Sequence, residues 1–328
     1  MEIYSPTKFI PMTNGQHLLI TGASSGIGRV AAQRLERAGH RLTLVCRSQE
    51  RAREALDWVA PQTTVLLADL ADLASVDQLC SIVQSRAEPL DGLVLNAGLQ
   101  YAGYKQPRWS PQGFELTVAV NHLAHQLLLM RLLPMLLQST SPRLVITASE
   151  VHNPASGGGR VGRPASLGDL SGLDSTTSAP MLDGNSRFDA DKAYKDSKLC
   201  NMLMGLHTAN LHPELPVISW SPGLVIPRAS GGFFRESRRA NPLGQALFGF
   251  VARDVLRITE SVDNAGERLV QLVLEHGDSG FRYWSNTLVK PGLHRFEQTE
   301  PSAEASDSLK AERLWTLSQE RIESVLNS

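Results

Sequence analysis

Tyr194 and Lys198 stand four residues apart in the stretch FDADKAYKDSKLCNML (188–203). On a helix that spacing puts both side chains on one face, with the ammonium beside the phenol. A positive neighbour favours phenolate and is expected to lower the tyrosine pKa from about 10 toward neutrality. The pair is then a proton donor, provided the chain brings something to protonate. Taken alone, such a pair is more often an exposed helix that happens to carry a tyrosine and a lysine, so the reading depends on the rest of the chain.

A partner for that chemistry lies near the start of the chain. The strand-like HLLI (17–20) runs into TGASSGIG (21–28), ahead of a helical pattern. Gly22, Gly26 and Gly28 would let the backbone approach a dinucleotide pyrophosphate at a helix N-terminus, with Ser24 and Ile27 beside them. The second strand ends in VCRS (45–48), where Arg47 occupies the position at which an acid would select a free ribose hydroxyl. A guanidinium there suits a 2′-phosphate, so NADPH is the expected cofactor. Asp69, closing LLADL (66–70), is placed to meet the adenine amino group.

The elements that must position these groups follow an alternating rhythm. Candidate strands fall at 17–20, 42–46, 64–68, 92–95, 143–148, 216–220 and 280–284, separated by amphipathic stretches such as RVAAQRLERAGH (29–40). Apolar strands separated by helices predict an α/β fold, doubly wound around a mainly parallel sheet of seven strands. The whole chain, 1–328, reads as one domain, closed by a helix over 302–326. Two stretches break the rhythm: 151–190, rich in Gly, Pro, Ser and Asp, and 229–257, basic, glycine-rich and aromatic. The first reads as an insertion loop. The second reads as a lid, a membrane-surface contact or a self-association segment.

Bulk properties exclude several classes. A formal net charge of −1 gives no general attraction to nucleic acid. Three widely spaced cysteines, Cys46, Cys80 and Cys200, fit a reducing, cytoplasmic setting with at most a peripheral membrane contact. No leader pattern opens the chain and no apolar run approaches membrane-spanning length. His122 and His125 have no acid or cysteine at ligand spacing, so no metal is expected.

TGASSGIG, LNAG (95–98), Asn121 in VAVNHLAH, Ser149 in VITAS and the YKDSK segment together resemble the short-chain dehydrogenase/reductase family. That resemblance implies a proton-relay tetrad of Asn121, Ser149, Tyr194 and Lys198. It also implies that Asn96, Ala97 and Gly98 line the cofactor ribose region and that Pro222 and Gly223 shape the nicotinamide pocket. Forty-five residues separate Ser149 from Tyr194, far more than is usual in the family. The inserted ASLGDLSGL (165–173), with 181–203, 113–125, 232–237 and 304–320, is similar to the light-dependent protochlorophyllide reductases. This narrower resemblance implies NADPH-dependent, light-driven reduction of a ring double bond in a tetrapyrrole pigment, as in chlorophyll and bacteriochlorophyll biosynthesis. A flat pigment needs a large, mostly apolar pocket. The 151–190 and 233–257 stretches would supply its walls and cover, with Phe233, Phe234, Phe248 and Phe250 over its face and arginines toward its carboxylates.

One stretch departs from that narrower pattern. In SWSPGLVIPR (219–228), Ser221 stands where the reductases carry a tyrosine, Leu224 where they carry a cysteine, and Pro227 where a threonine holds the carboxamide. Leu224 would still face substrate but can donate no proton, and Pro227 has no backbone N–H. Cys200 reads as a core thiol. These changes keep open a second reading, a dark carbonyl or retinol-type reductase for another bulky apolar substrate. A non-catalytic NADPH-binding scaffold is a third.

Overall fold

The computed structural model describes residues 15–174, 178–228, 233–275 and 277–327. Its centre is one sheet in the order β3-β2-β1-β4-β5-β6-β7-β8. The strands are β1 (His17–Thr21), β2 (Arg41–Cys46), β3 (Thr64–Leu67), β4 (Gly92–Leu95), β5 (Arg143–Thr147), β6 (Pro216–Ser221), β7 (Gly280–Lys290) and β8 (Leu293–Gln298). β1, β4 and β5 are buried at every position, as parallel strands covered on both faces must be. Chain order reverses between β1 and β4, which pair from Leu18–Gly92 to Ile20–Val94. The crevice beyond their C-terminal ends is where an open α/β sheet binds ligands.

All seven expected strands are present, and β1 to β7 are mutually parallel. β8 is an addition to the expectation, and it runs antiparallel to β7. Lys290 and Leu293 are joined across Pro291-Gly292, and Gly292 takes φ +77°, the conformation a tight turn after proline needs. The alternation in LHRFEQ is too polar to announce a strand, because both faces at this edge are largely exposed.

The two faces carry separate cores. On one, Ala31, Ala32 and Leu35 of the helix Gly26–Arg37 pack with Leu269, Leu272 and Val273 of the helix Val262–Leu274. On the other lie the helices Leu73–Ser85, Leu116–Leu136, Ala190–Leu211 and Ser308–Leu326. Leu116–Leu136 is long and apolar enough to cross a membrane, but 78% of that window is buried inside the protein, as suits a core helix. The C-terminal helix begins at 308 rather than 302, because Asp307 caps it by accepting the Lys310 N–H at 3.0 Å.

Among its described residues the 151–190 stretch is largely irregular, with short helical turns at Glu150–His152 and Ser171–Asp174, and charge fastens it to the long helix. Lys192 Nζ reaches Ser166 O (2.7 Å) and Asp196 (2.5 Å), and Asp196 accepts the Ser166 N–H at 3.0 Å. Lys195 Nζ donates to the carbonyls of Gly159, Val161 and Arg163. Within 229–257, residues 229–232 lie outside the described residues. The remainder carries the helices Arg235–Ala240 and Pro242–Phe250 and a π-helical turn, Val251–Val255.

Candidate active site

At the β1 turn, Gly22 takes φ +71° and Gly26 φ +58°. A Cβ on Gly22 would stand 2.8 Å from Ala97 Cα, and one on Gly28 would stand 2.5 Å from Gly22 O. Only glycine fits this cradle. The LNAG segment braces it from β4: Asn96 Nδ2 donates to Thr21 O at 3.1 Å, while Asn96 N and Ala97 N donate to Thr21 Oγ1 at 2.9 and 3.0 Å. Asn96 therefore holds the loop that would hold a cofactor. Ser25 caps the helix Gly26–Arg37 without a side-chain bond, and no acid occupies the first turn, so its N–H groups face the crevice as an anion site would require. The cradle and its donors fit a dinucleotide. Arg47 follows the end of β2 exposed, and Asp69 follows β3, its carboxylate accepting the Ala71 N–H.

The tetrad residues converge from three elements. Asn121 sits in a π-helical turn, Ala119–Leu123, and its side chain spans Leu99 and Ser197: Leu99 N donates to Oδ1 at 2.8 Å, and Nδ2 donates to Leu99 O and Ser197 Oγ, each at 3.0 Å. Ser149, two residues past β5, hydrogen-bonds the Tyr194 phenol. Tyr194 and Lys198 share a face of the 22-residue helix capped by Asp189. Lys198 Nζ lies 5.8 Å from the tyrosine ring centroid and donates to Thr147 O at 2.8 Å. Gly98 lies against both groups: a Cβ there would make ordinary contact with Asn121 Oδ1 at 3.4 Å and Lys198 Nζ at 3.6 Å.

The electrostatics correct the sequence-based expectation. Burial pushes the Tyr194 phenol above its ordinary value, and the Ser149 bond opposes this only in part. Burial lowers Lys198 to about 7. The low-dielectric surroundings thus outweigh the expected acidification by the lysine, because both groups lose more by desolvation than they gain from each other. Tyr194 is held protonated, the state a donor must start from.

The histidines are tied into the same region. His125 stands between Asn121 O and Thr21 Oγ1, each at 3.1 Å; a carbonyl can only accept, so Nδ1 carries the proton. His122 meets Ser318 Oγ at 2.9 Å, and burial holds both imidazoles near 3, hence neutral. Among the described residues no cluster of three or more His, Cys, Asp or Glu is arranged to hold a metal. Cys200 is fully buried, its thiol pushed well up by burial.

At the altered stretch, Ser221 ends β6, and its hydroxyl accepts the N–H groups of Glu150 (2.9 Å) and Gly223 (3.3 Å). Gly223 takes φ +76°, and a Cβ there would stand 2.7 Å from Asn286 O. Asn286 Nδ2 donates to Pro222 O at 3.2 Å and to Glu260 at 3.0 Å. The Pro222-Gly223 turn is thus clamped from β7, an arrangement with no local signal in the sequence.

On the substrate side, Phe233 lies against the Tyr194 ring, with centroids 5.3 Å apart, and Phe234 stands edge-on to Phe233 at 5.0 Å. Leu224 packs with Phe233 and Ile258 on a small cluster of Ile226, Phe234 and Ala252. The expected roomy cavity before Tyr194 is partly taken by these side chains, because the segment folds inward on its own apolar residues. Phe248 and Phe250 do not join this cover; they are exposed. A separate cleft of about 230 Å³ opens beside the N-terminus of the Tyr194 helix, among Tyr104, Lys105, Arg187 and Phe188.

Comparison with known proteins agrees with this geometry. A family model described as short chain dehydrogenase matches residues 16–159. A rice protein named protochlorophyllide reductase B, chloroplastic (Oryza sativa subsp. japonica), is 37% identical, over 98% of this chain and 82% of its own. An oat protein, protochlorophyllide reductase (Avena sativa), is 36% identical over 93% of this chain and 99% of its own. Among solved structures, a Mycobacterium paratuberculosis protein superposes with a TM-score of 0.64 at 23% identity, covering 94% of this chain and 93% of that one. A short chain dehydrogenase from Shigella flexneri complexed with NADP gives 0.57 at 22% identity, covering 82% and 96%. At these identities the two structures speak for the fold.

Proposed function

The chain belongs to the short-chain dehydrogenase/reductase family of oxidoreductases, and from that premise we propose that it is an NADPH-dependent, light-driven reductase of protochlorophyllide or a closely related tetrapyrrole. The observation that carries the reading is the similarity to protochlorophyllide reductases over nearly the whole chain, 98% of it for the rice protein, the long insertion included. NADPH, when bound, supplies the hydride. Gly22, Ser24, Gly26, Ile27 and Gly28 hold its pyrophosphate side, Arg47 the 2′-phosphate and Asp69 the adenine. Asn96 braces that loop, Ala97 and Gly98 line the ribose region, and Pro222 and Gly223 shape the nicotinamide pocket.

Tyr194 keeps its proton in the buried site and delivers it from the phenol oxygen to the carbon beside the one that is reduced. Ser149 orients the phenol through its hydrogen bond. Lys198, anchored on Thr147 O, holds the cofactor ribose and steadies the phenolate left behind. Asn121 fixes the 99–121 and 121–197 contacts that keep the helix in place and secures a path for water. Leu224, Phe233 and Phe234 contact the substrate, and Phe233 must swing from the Tyr194 ring to admit a flat pigment. The 151–190 insertion forms one wall, and the 233–257 segment serves as cover. Its outward residues Leu243, Leu247 and Phe250 are 85%, 64% and 54% exposed, which suits a peripheral membrane or self-association contact in a cytoplasmic protein.

The packing of Phe233 on Tyr194, together with Leu224, supports a second reading, a dark carbonyl or retinol-type reductase for another bulky apolar substrate, less extended than a tetrapyrrole. One experiment separates them. Purified protein with NADPH and protochlorophyllide is flashed, and the red absorbance of product is followed. Product after illumination and none in darkness is the expected result; no product under light, with retinal or ketone reduction in darkness, overturns it.

A further inference from the structure

The turn that follows β6 is held by groups from outside its own segment. Parallel pairing of β6 with β7 runs as far as Ser221–Ser285, so Asn286 is the first residue of β7 beyond that pairing. Its amide donates twice, to Pro222 O at 3.2 Å and to Glu260 Oε2 at 3.0 Å. Glu260 also grips the turn with its backbone: its N–H donates to Leu224 O at 2.8 Å, beside a parallel bridge to Val225. Gly223 N donates to Ser221 Oγ at 3.3 Å. Pro222 O, Gly223 N and Leu224 O are thus all engaged by the protein. Gly223 is also in close contact with β7, since a Cβ there would stand 2.7 Å from Asn286 O.

The carboxylate at the centre of this clamp is held almost wholly by neutral donors. Its side chain is 10% exposed, and His294 Nδ1 stands 3.9 Å from Oε2. Oε1 accepts the Ser261 N–H at 2.6 Å and the Asn264 amide at 2.9 Å, while Oε2 accepts the Asn286 amide. Burial raises the Glu260 carboxyl, but these bonds, that of Asn286 foremost, hold it below the usual carboxylate range. It is therefore an anion, and a buried anion without a lysine or arginine costs stability. An apolar residue in its place would avoid that cost but could not orient Asn286. A carbonyl and a carboxylate can only accept, so together they fix which end of the Asn286 amide faces the turn.

We propose that Glu260 and Asn286 are positioning residues for the nicotinamide end of the cofactor: by fixing Pro222 O and Leu224 O they set the face that this turn presents to the ring. The inference rests on the NADPH reading above and deepens it with two residues outside the glycine turn and the tetrad. The same turn is tied to the proton-donor side, because Ser221 Oγ also accepts the N–H of Glu150, the neighbour of Ser149, at 2.9 Å. A displaced turn would therefore misplace the ring relative to Tyr194. The adenosine end, which meets the glycine turn braced between β1 and β4, would stay where it is.

The test compares two ligands on the full chain by titration calorimetry: NADPH, and adenosine 2′,5′-bisphosphate, which carries the phosphate-bearing adenosine end and no nicotinamide. Wild type should bind both, NADPH the more tightly. Asn286→Asp keeps the side chain's size but sets an acceptor against Pro222 O and a like charge against Glu260. It should weaken NADPH about tenfold, on the order of one hydrogen bond, and leave the bisphosphate unchanged. Glu260→Gln removes the charge that orients Asn286 and should weaken NADPH in the same selective way, by about threefold. Unchanged bisphosphate binding shows that a variant folds, and if Asn286→Asp does not fold, Glu260→Gln carries the test. Equal weakening of both ligands, or no weakening of NADPH, in Glu260→Gln overturns the proposal and leaves the NADPH reading standing. A wild type that binds neither ligand overturns both.

Discussion

At the glycine turn, the groups that would meet a dinucleotide are backbone atoms, locked by neighbours in β1 and β4: Thr21 Oγ1 takes two N–H groups, and Asn96 ties down the turn carbonyl. Across Tyr194, the walls are irregular chain held by long charged side chains. Lys192 and Lys195 secure the insertion, and Glu236 gathers three arginines beneath the cover. The first region is rigid because its partners are close in the sheet and their bonds are those of regular structure. The second is tethered at a few points, and its inward aromatics fill space that a substrate would need. A reductase built this way can keep one cofactor site while its substrate side diverges, and the altered residues 221–227 all fall near that second region.

The comparison can be broken hardest at Tyr194, the proposed proton donor. Tyr194→Phe should cut turnover by about 10²–10⁴-fold while leaving NADPH affinity nearly unchanged, since the proposed cofactor contacts run through other residues. Turnover equal to wild type would remove Tyr194 from the reaction. Next comes the tether. Lys192→Met leaves Asp196, 1% exposed, without its cation, and should cost about 3–5 kcal/mol in urea unfolding. Replacing Asp196 with leucine as well should recover part of that loss, because the orphaned carboxylate is gone; an undiminished loss in the double variant would mean that packing, not charge, holds the insertion.

The smallest effect sharpens the account of the electrostatics. Lys198 sits near 7 in the folded protein, well below the roughly 10.5 of a lysine in unfolded chain. Between these values the folded state binds fewer protons than the unfolded one. The stability associated with this residue is therefore complete above the higher value and is lost as pH falls through about 7. The stability difference between wild type and Lys198→Met should accordingly grow in favour of wild type from pH 7 to pH 10 in the cofactor-free protein. A flat difference would show that Lys198 stays charged in the fold.

Much of the site was readable beforehand because its signals are local. A glycine that must take φ +71° or accept a backbone at 2.8 Å is written in one position, and a tyrosine–lysine pair one turn apart needs only a helix. The acidity of that pair was misread, because spacing conveys adjacency and not burial. Arg108, Arg235 and Glu236 carried no warning: 128 residues separate Arg108 from its partner. His125 looked like an idle metal candidate until Thr21, 104 residues away, proved to be its partner. β8 was passed over because a polar edge strand has little hydrophobic alternation to show.

By itself the sequence determined the alternating strands and helices, the glycine turn after the first strand, the shared helix face of Tyr194 and Lys198 and the long insertion ahead of them, since each follows from residue type and short-range spacing. Only the tertiary structure decided that the tyrosine keeps its proton, that Phe233 stands on it, and that Arg108 and Arg235 meet on Glu236. Desolvation and charge convergence depend on which distant atoms share a volume, and that is set when the chain closes on itself.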